Sequence, residues 1–102
     1  MTTPFRFIAT TTLLWASQAA WAQVDNLQVR SWAAACAGCH GTLGVAQPGM
    51  ESLAGAPKDD LLKKMLDFKA GRKPATLMHQ ISKGYNDAQI DAVATYFAAQ
   101  KK

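Results

Sequence analysis

Hydrophobic residues recur at helical spacing in three stretches of the chain. The first stretch carries an apolar stripe at positions i, i+3, i+4, i+7 and i+8, formed by Val29, Trp32, Ala33, Cys36 and Ala37. This spacing places the side chains on one face of a helix, so we expect a helix that ends at the two cysteines. Residues 41–55 follow neither a period of two nor one of 3.6, and they contain Gly44, Pro48 and Gly49. We expect a loop there.

A second helix is predicted between Pro57 and Gly71. Proline suits the first helical turn, Asp59 and Asp60 favour the positive end of a helix, and a glycine can close it. One face of this helix would carry Leu61, Met65 and Phe68.

The C-terminal third predicts a short helical piece over about residues 75–83 and then a last helix. Asn86 is a suitable cap for the last helix, because Gln89 follows three residues later and completes a capping box. The apolar stripe of this helix is formed by Ile90, Val93, Ala94, Phe97 and Ala98. No segment alternates convincingly between polar and apolar residues, so the sequence predicts an all-α domain.

The first 22 residues have the pattern of a secretory signal peptide. Arg6 precedes an apolar stretch of about ten residues, and Ala20, Trp21 and Ala22 form a small-x-small cleavage site. The stretch is well short of the roughly 20 apolar residues that cross a bilayer. We therefore expect residues 1–22 to be removed, and residues 23–102 to form one domain in the periplasm without a membrane anchor.

Charge and cysteine content reduce the number of protein classes to which the chain could belong. The chain has a formal net charge of +4, and its basic residues are interleaved with aspartates, a pattern that does not favour nucleic-acid binding. A domain of about 80 residues is near the size at which a hydrophobic core alone is marginal, so we expect a further stabilising element. Two cysteines cannot form a multi-disulfide framework.

The two cysteines lie in a C-x-x-C-H motif over residues 36–40, which is the pattern for covalent attachment of haem c. Within one helical turn, Cys36 and Cys39 can each add to a vinyl group of one haem, and His40 can turn its imidazole onto the iron. The motif predicts one covalently bound haem c.

Two other uses of the motif fit less well. A thioredoxin-like redox protein needs a βαβ pattern around the cysteines, and no credible strand is predicted. A structural zinc site needs four ligands, and His79, the remaining candidate, lies 39 residues after His40.

The second axial ligand of the iron is less directly indicated. The candidates are Met50, Met65, Met78 and His79. Met65 lies on an apolar stripe, as expected for core packing, and Met50 follows His40 by only ten residues. Met78 follows Pro74, where the chain can pass over the far side of the ring, so we favour a His/Met pair of His40 and Met78. His79 stays open as the alternative.

The chain resembles the class I c-type cytochromes in several separate segments. These are CAGCHG at 36–41, LAG at 53–55, DFKAGR at 67–72 and Tyr96 with Phe97. The runs PATLM at 74–78 and KGY at 83–85 most resemble the cytochrome subunit of flavocytochrome c sulfide dehydrogenase. The resemblance implies that Met78 is the distal ligand, and that terminal helices cross where Trp32 meets Tyr96 and Phe97. It also implies an FAD-containing sulfide-oxidising subunit as the partner.

One position departs from the family pattern. Many relatives have a proline two positions before the residue matching Leu53, and its carbonyl accepts the N–H of the proximal histidine. This chain has Glu51 there, which leaves open the carbonyl that orients His40.

These features predict an electron carrier without catalytic residues. The alternatives are a free soluble shuttle of a respiratory chain and a five-coordinate haem protein of the sensor or peroxidase type, which would require that Met78 does not bind the iron.

Overall fold

The computed structural model describes the backbone of residues 18–102 and the side chains of residues 26–102. The expected signal peptide over residues 1–22 lies largely outside the described residues. The described part contains helices and no strand, which confirms the prediction of an all-α fold. The helices are α1 (Gln18–Ala34), α2 (Ala37–His40), α3 (Lys58–Lys69), α4 (Met78–Ile81) and α5 (Asp87–Ala98), with a 3₁₀ turn over Ser82–Gly84 between α4 and α5. None of these helices is long and apolar enough to span a membrane.

Helices α3 and α5 begin where their capping residues predict. Pro57 precedes α3 with a φ of −57°, and two aspartates occupy the first turn, where they face the positive end of the helix. Asn86 caps α5 through a complete capping box with Gln89. Its side chain accepts a hydrogen bond from the Gln89 amide at 2.8 Å, and the Gln89 side chain accepts one from the Asn86 amide at 2.9 Å.

The core forms where α5 packs between α1 and α3. Its buried residues are Ala33, Leu61, Val93, Ala94 and Phe97. Trp32, Cys36 and Tyr96 are partly buried against this cluster. The stripes predicted for α1, α3 and α5 therefore contribute to one core. The Tyr96 and Phe97 rings meet edge to face with centroids 5.1 Å apart, and Trp32 packs against the same cluster.

The loop between α2 and α3 is fastened to this core at Gly44. The carbonyl of Gly44 accepts hydrogen bonds from the amides of Leu53 at 2.7 Å and Ala54 at 3.0 Å. Gly44 has a φ of +84°, and a Cβ atom there would lie 2.8 Å from both the Phe97 ring and the Ala54 nitrogen. Only glycine fits this close approach. The predicted loop at 41–55 is confirmed.

The turn after α3 is held by Asp67. Its carboxylate accepts hydrogen bonds from Lys63 at 2.6 Å and from Arg72 at 2.9 Å, and both lower the pKa of Asp67. Its backbone carbonyl also accepts the amide of Arg72 at 2.9 Å. These contacts turn the chain toward α4.

Tyr85 connects the segment after α4 to α1. Its hydroxyl donates a hydrogen bond to the carbonyl of Trp32 at 3.0 Å, across 53 residues of sequence. Partial burial raises the pKa of Tyr85, so the hydroxyl stays a donor at neutral pH.

We expect Tyr85→Phe to lower the free energy of unfolding by about 1 kcal/mol, because it removes this one hydrogen bond without removing the ring. Tyr96→Phe is the matched control, since no hydrogen bond of the Tyr96 hydroxyl is found among the described residues. Urea unfolding of the haem-loaded protein, followed by circular dichroism, measures both changes. Equal losses in the two variants would contradict the role of the Tyr85 hydroxyl.

Candidate haem site

The C-x-x-C-H motif folds as a separate helical turn. The prediction of one helix ending at the cysteines is wrong in its end point, because α1 ends at Ala34 and α2 begins at Ala37. The amide of Cys36 bonds to the carbonyl of Ala33, three residues earlier, at 3.0 Å. A hydrogen bond that spans three residues instead of four tightens the end of α1. The amide of His40 then bonds to the carbonyl of Cys36 at 2.9 Å, which keeps the motif in one turn.

The two cysteines of the motif are not joined in a disulfide, and they lie in different surroundings. Cys36 is half-buried against the core, and burial raises the pKa of its thiol. Cys39 is exposed. The two thiols of the motif therefore differ in how closely they are packed against the protein.

His40 is oriented by the loop that follows it. Its Nδ1 atom lies 2.5 Å from the backbone carbonyl oxygen of Glu51. A carbonyl only accepts hydrogen bonds, so Nδ1 carries the proton and Nε2 is the nitrogen left free for a metal. The carbonyl that the sequence left open is therefore that of Glu51.

Gly41 allows the chain to turn directly after His40. Its φ is +87°, and a Cβ atom at this position would lie 1.9 Å from the carbonyl oxygen of Val45. Any side chain would push the loop away from the motif, and with it the carbonyl that holds His40.

The favoured distal ligand, Met78, is the first residue of α4. The helical piece predicted over residues 75–83 begins three residues later than expected, because Leu77 has non-helical angles of φ −127° and ψ −35°. Ser82 is fully buried, and its hydroxyl donates a hydrogen bond to the carbonyl of Met78 at 2.6 Å. This bond fixes the backbone of α4 where the Met78 side chain begins.

The other candidate ligands have different environments. Met50 is exposed on the loop, and Met65 is half-buried on α3, consistent with its expected packing role. His79 is half-buried, and its Nδ1 atom is buried without a hydrogen-bond partner among the described residues. The assignment of Met78 as distal ligand stays a prediction.

The residues around the motif fit a haem. Large exposed hydrophobic side chains concentrate on the loop after the motif and next to Met78; they are Leu43, Val45, Met50, Leu77 and Ile81. Two thiols, an imidazole with a free Nε2 and a thioether are the donors that haem c uses. Among the described residues, no three His, Cys, Asp or Glu side chains are grouped to hold a bare metal ion.

Three residues of this site were not predicted from sequence. Ser82 could have been found, because it lies four residues after Met78 and serine hydroxyls bond to the carbonyl four residues earlier in a helix. The resemblance pointed to position 51 for the carbonyl that orients His40, and the change from proline to glutamate left that assignment open until the structure placed the Glu51 carbonyl there. The ion pair of Lys64 with Glu51 joins separate elements, and no local pattern indicates it.

An all-α domain with a C-x-x-C-H motif whose histidine is oriented by a backbone carbonyl is typical of c-type haem proteins. The family model for cytochrome c matches residues 29–101, and the chain belongs to the cytochrome c family with the class I fold. This family consists of electron-transfer proteins that carry covalently bound haem c.

Individual relatives give the same result. The chain is 36% identical, over 67 residues, to the cytochrome subunit of sulfide dehydrogenase from Chlorobaculum tepidum, covering 66% of this chain and 61% of that protein. It is 34% identical to the thiosulfate dehydrogenase electron acceptor of Thiomonas intermedia, covering 87% of this chain and 40% of that protein. It is 37% identical to cytochrome c4 of Pseudomonas aeruginosa, covering 68% of this chain and 35% of that protein.

A solved structure supports the fold assignment. Cytochrome c4 of Acidithiobacillus ferrooxidans superposes with a TM-score of 0.68 at 26% identity, covering 74% of this chain and 49% of that chain. The chain thus spans between about a third and three fifths of the length of these relatives.

We expect the double variant Cys36→Ala/Cys39→Ala to retain no covalent haem and to lose most of its helical circular dichroism. The core of so small a domain is marginal without its cofactor. Haem staining of a denaturing gel and circular dichroism measure the two effects.

Gly38→Ala is the matched control, since a Cβ atom at this position, between the two cysteines, meets nothing within 4 Å. A helical double variant that melts cooperatively would contradict the stabilising role of haem.

Proposed function

We propose that this chain is a periplasmic cytochrome that carries single electrons through one haem c, bound to Cys36 and Cys39 and ligated by His40 and Met78. The hydrogen bond from His40 to the carbonyl of Glu51 supports this proposal most directly. It leaves one imidazole nitrogen free and fixes the plane of the ring, as an axial ligand requires.

The residues that would hold the haem come from two parts of the chain, the motif with its loop and helix α4. On one side, Cys36 and Cys39 would hold the cofactor by thioether bonds, and the loop keeps His40 in place through Glu51. On the other side, Ser82 fixes the backbone of Met78. Bound haem supplies an iron that alternates between Fe(III) and Fe(II), taking up one electron and releasing it again.

Electron transfer of this kind needs ligand geometry that is the same in both oxidation states. A methionine ligand stabilises Fe(II) and raises the reduction potential relative to a second histidine. The packed core behind Cys36 and the anchored loop behind His40 limit movement of the proximal side. No substrate bond is broken, so the proposal assigns no catalytic residue.

The names of the relatives suggest the partner. One relative is the cytochrome subunit of a sulfide dehydrogenase, and another is the electron acceptor of a thiosulfate dehydrogenase. We propose that this chain likewise accepts electrons from a dehydrogenase of reduced sulfur compounds, in particular from an FAD-containing sulfide dehydrogenase subunit.

We expect Met78→Ala to abolish the weak near-infrared absorption band that a methionine ligand gives oxidised haem. His79→Ala is the matched control, because it alters the adjacent side chain and is expected to leave the band intact. The absorption spectrum of the oxidised protein measures both. A band that persists in Met78→Ala would assign another methionine as the ligand, and a low-spin wild-type spectrum without the band would assign His79. A high-spin wild-type spectrum without the band would support the five-coordinate alternative.

We expect a flavoprotein to co-purify with the native cytochrome from periplasm. Affinity capture followed by the flavin absorption spectrum of the eluate tests this, and added sulfide should reduce the captured haem. A solitary cytochrome that sulfide does not reduce in periplasmic extract would favour a free shuttle instead.

A further inference from the structure

Lys64, on α3, is connected to the proximal histidine through one residue. The Nζ atom of Lys64 forms an ion pair with the carboxylate of Glu51. Through its backbone carbonyl, Glu51 also accepts the hydrogen bond from Nδ1 of His40 at 2.5 Å. We propose that Lys64 is a positioning residue that holds this carbonyl on His40. The inference rests on the proposed role of His40 as an iron ligand and adds a residue that controls it.

The position of Lys64 is significant because the Glu51 segment has few other restraints. Within the loop, the amide of Ala46 donates to the Ser52 hydroxyl at 2.9 Å, and the amide of Leu53 donates to the Gly44 carbonyl at 2.7 Å. These bonds join parts of the loop to each other. Among the described residues, the polar contacts that connect residues 45–53 to a helix are those of His40 and Lys64 with Glu51.

The backbone freedom of Glu51 explains why an ion pair of its side chain matters for its carbonyl. A proline at this position would have a fixed φ angle and so would restrict where its carbonyl points. Glutamate has no such restriction. The ion pair with Lys64 restrains the same residue from its side chain, and α3 provides a rigid support.

Proline is also compatible with the backbone at this position. The amide of Glu51 donates no hydrogen bond among the described residues, and the preceding Met50 lies outside any helix. The missing N–H of a proline would therefore break no hydrogen bond of the loop. Proline and the Lys64 ion pair are thus alternative ways to hold one carbonyl.

The expected effect is local and small. The side chains of Lys64 and Glu51 are 41% and 53% exposed, and exposed ion pairs are weak. Breaking the pair should change how often the His40 hydrogen bond opens and leave global unfolding almost unchanged.

The test is solvent exchange of the His40 ring Nδ1–H proton, measured by NMR on the reduced, haem-loaded protein. We expect this proton to exchange about threefold to fivefold faster in Lys64→Gln and in Glu51→Gln. The backbone amide protons of Val93 and Ala94, in the buried part of α5, should exchange at the wild-type rate. A merely structural role would accelerate ring and amide protons together.

Two controls separate position from charge. Lys63→Gln removes a neighbouring lysine of the same helix, which pairs with Asp67 instead, and should leave the ring proton unaffected. Lys64→Arg keeps the ion pair and should restore the wild-type rate. The two single variants Lys64→Gln and Glu51→Gln change net charge in opposite directions, so a purely electrostatic effect would shift the ring exchange rate in opposite directions.

The Glu51→Pro variant lacks the ion pair and restrains residue 51 through its backbone instead. In this variant we expect a protected ring proton, and adding Lys64→Gln should cause no further change. Unchanged ring exchange in Lys64→Gln, or acceleration in parallel with the α5 amides, would overturn the role of Lys64. If the wild type shows the methionine band, either of these results contradicts the role of Lys64 and leaves the proposed function standing. If the wild type lacks bound haem or an iron-ligated His40, the proposed function and this inference both fail.

Discussion

The hydrogen bond between Nδ1 of His40 and the carbonyl of Glu51 is the contact on which the proximal side of the site depends. A histidine next to two cysteines can rotate about its side-chain bonds, and only a partner on the second nitrogen fixes the ring. The loop supplies that partner because it reverses direction immediately after the motif. Gly41 permits the reversal, and Gly44 allows the returning part of the loop to pack against Phe97.

The second constraint is the size of the core. The buried hydrophobic cluster consists of five residues, two of them alanines, and it is formed by α1, α3 and α5. Cys36 packs against this cluster, so a cofactor bound through it would extend the same apolar surface. Attachment of haem at this position would therefore also consolidate the fold.

Sequence reasoning succeeded where the determining interactions are local. Asn86 and Gln89 are three residues apart, so the start of α5 could be predicted. The motif at 36–40 likewise contains its own chemistry, and the haem-binding residues that it indicates stay a prediction. The end of α1 and the start of α4 were misplaced because tight turns depend on individual backbone angles. The partners of His40 and Trp32 lie 11 and 53 residues away, and sequence periodicity contains no information about such contacts.

Helix α3 connects these separate contacts into one support. Its two ends form ion pairs with α5, from Lys58 to Asp91 at 3.2 Å and from Lys69 to Asp87 at 2.9 Å. Near its middle, Lys64 reaches the loop that holds His40, and Asp67 holds the turn that leads to Met78. The segments that carry both candidate axial ligands are thus attached to the same helix. Each of these ion pairs is weak on its own. Because all of them are placed on α3, that one helix would keep the two ligands at a constant separation during electron transfer.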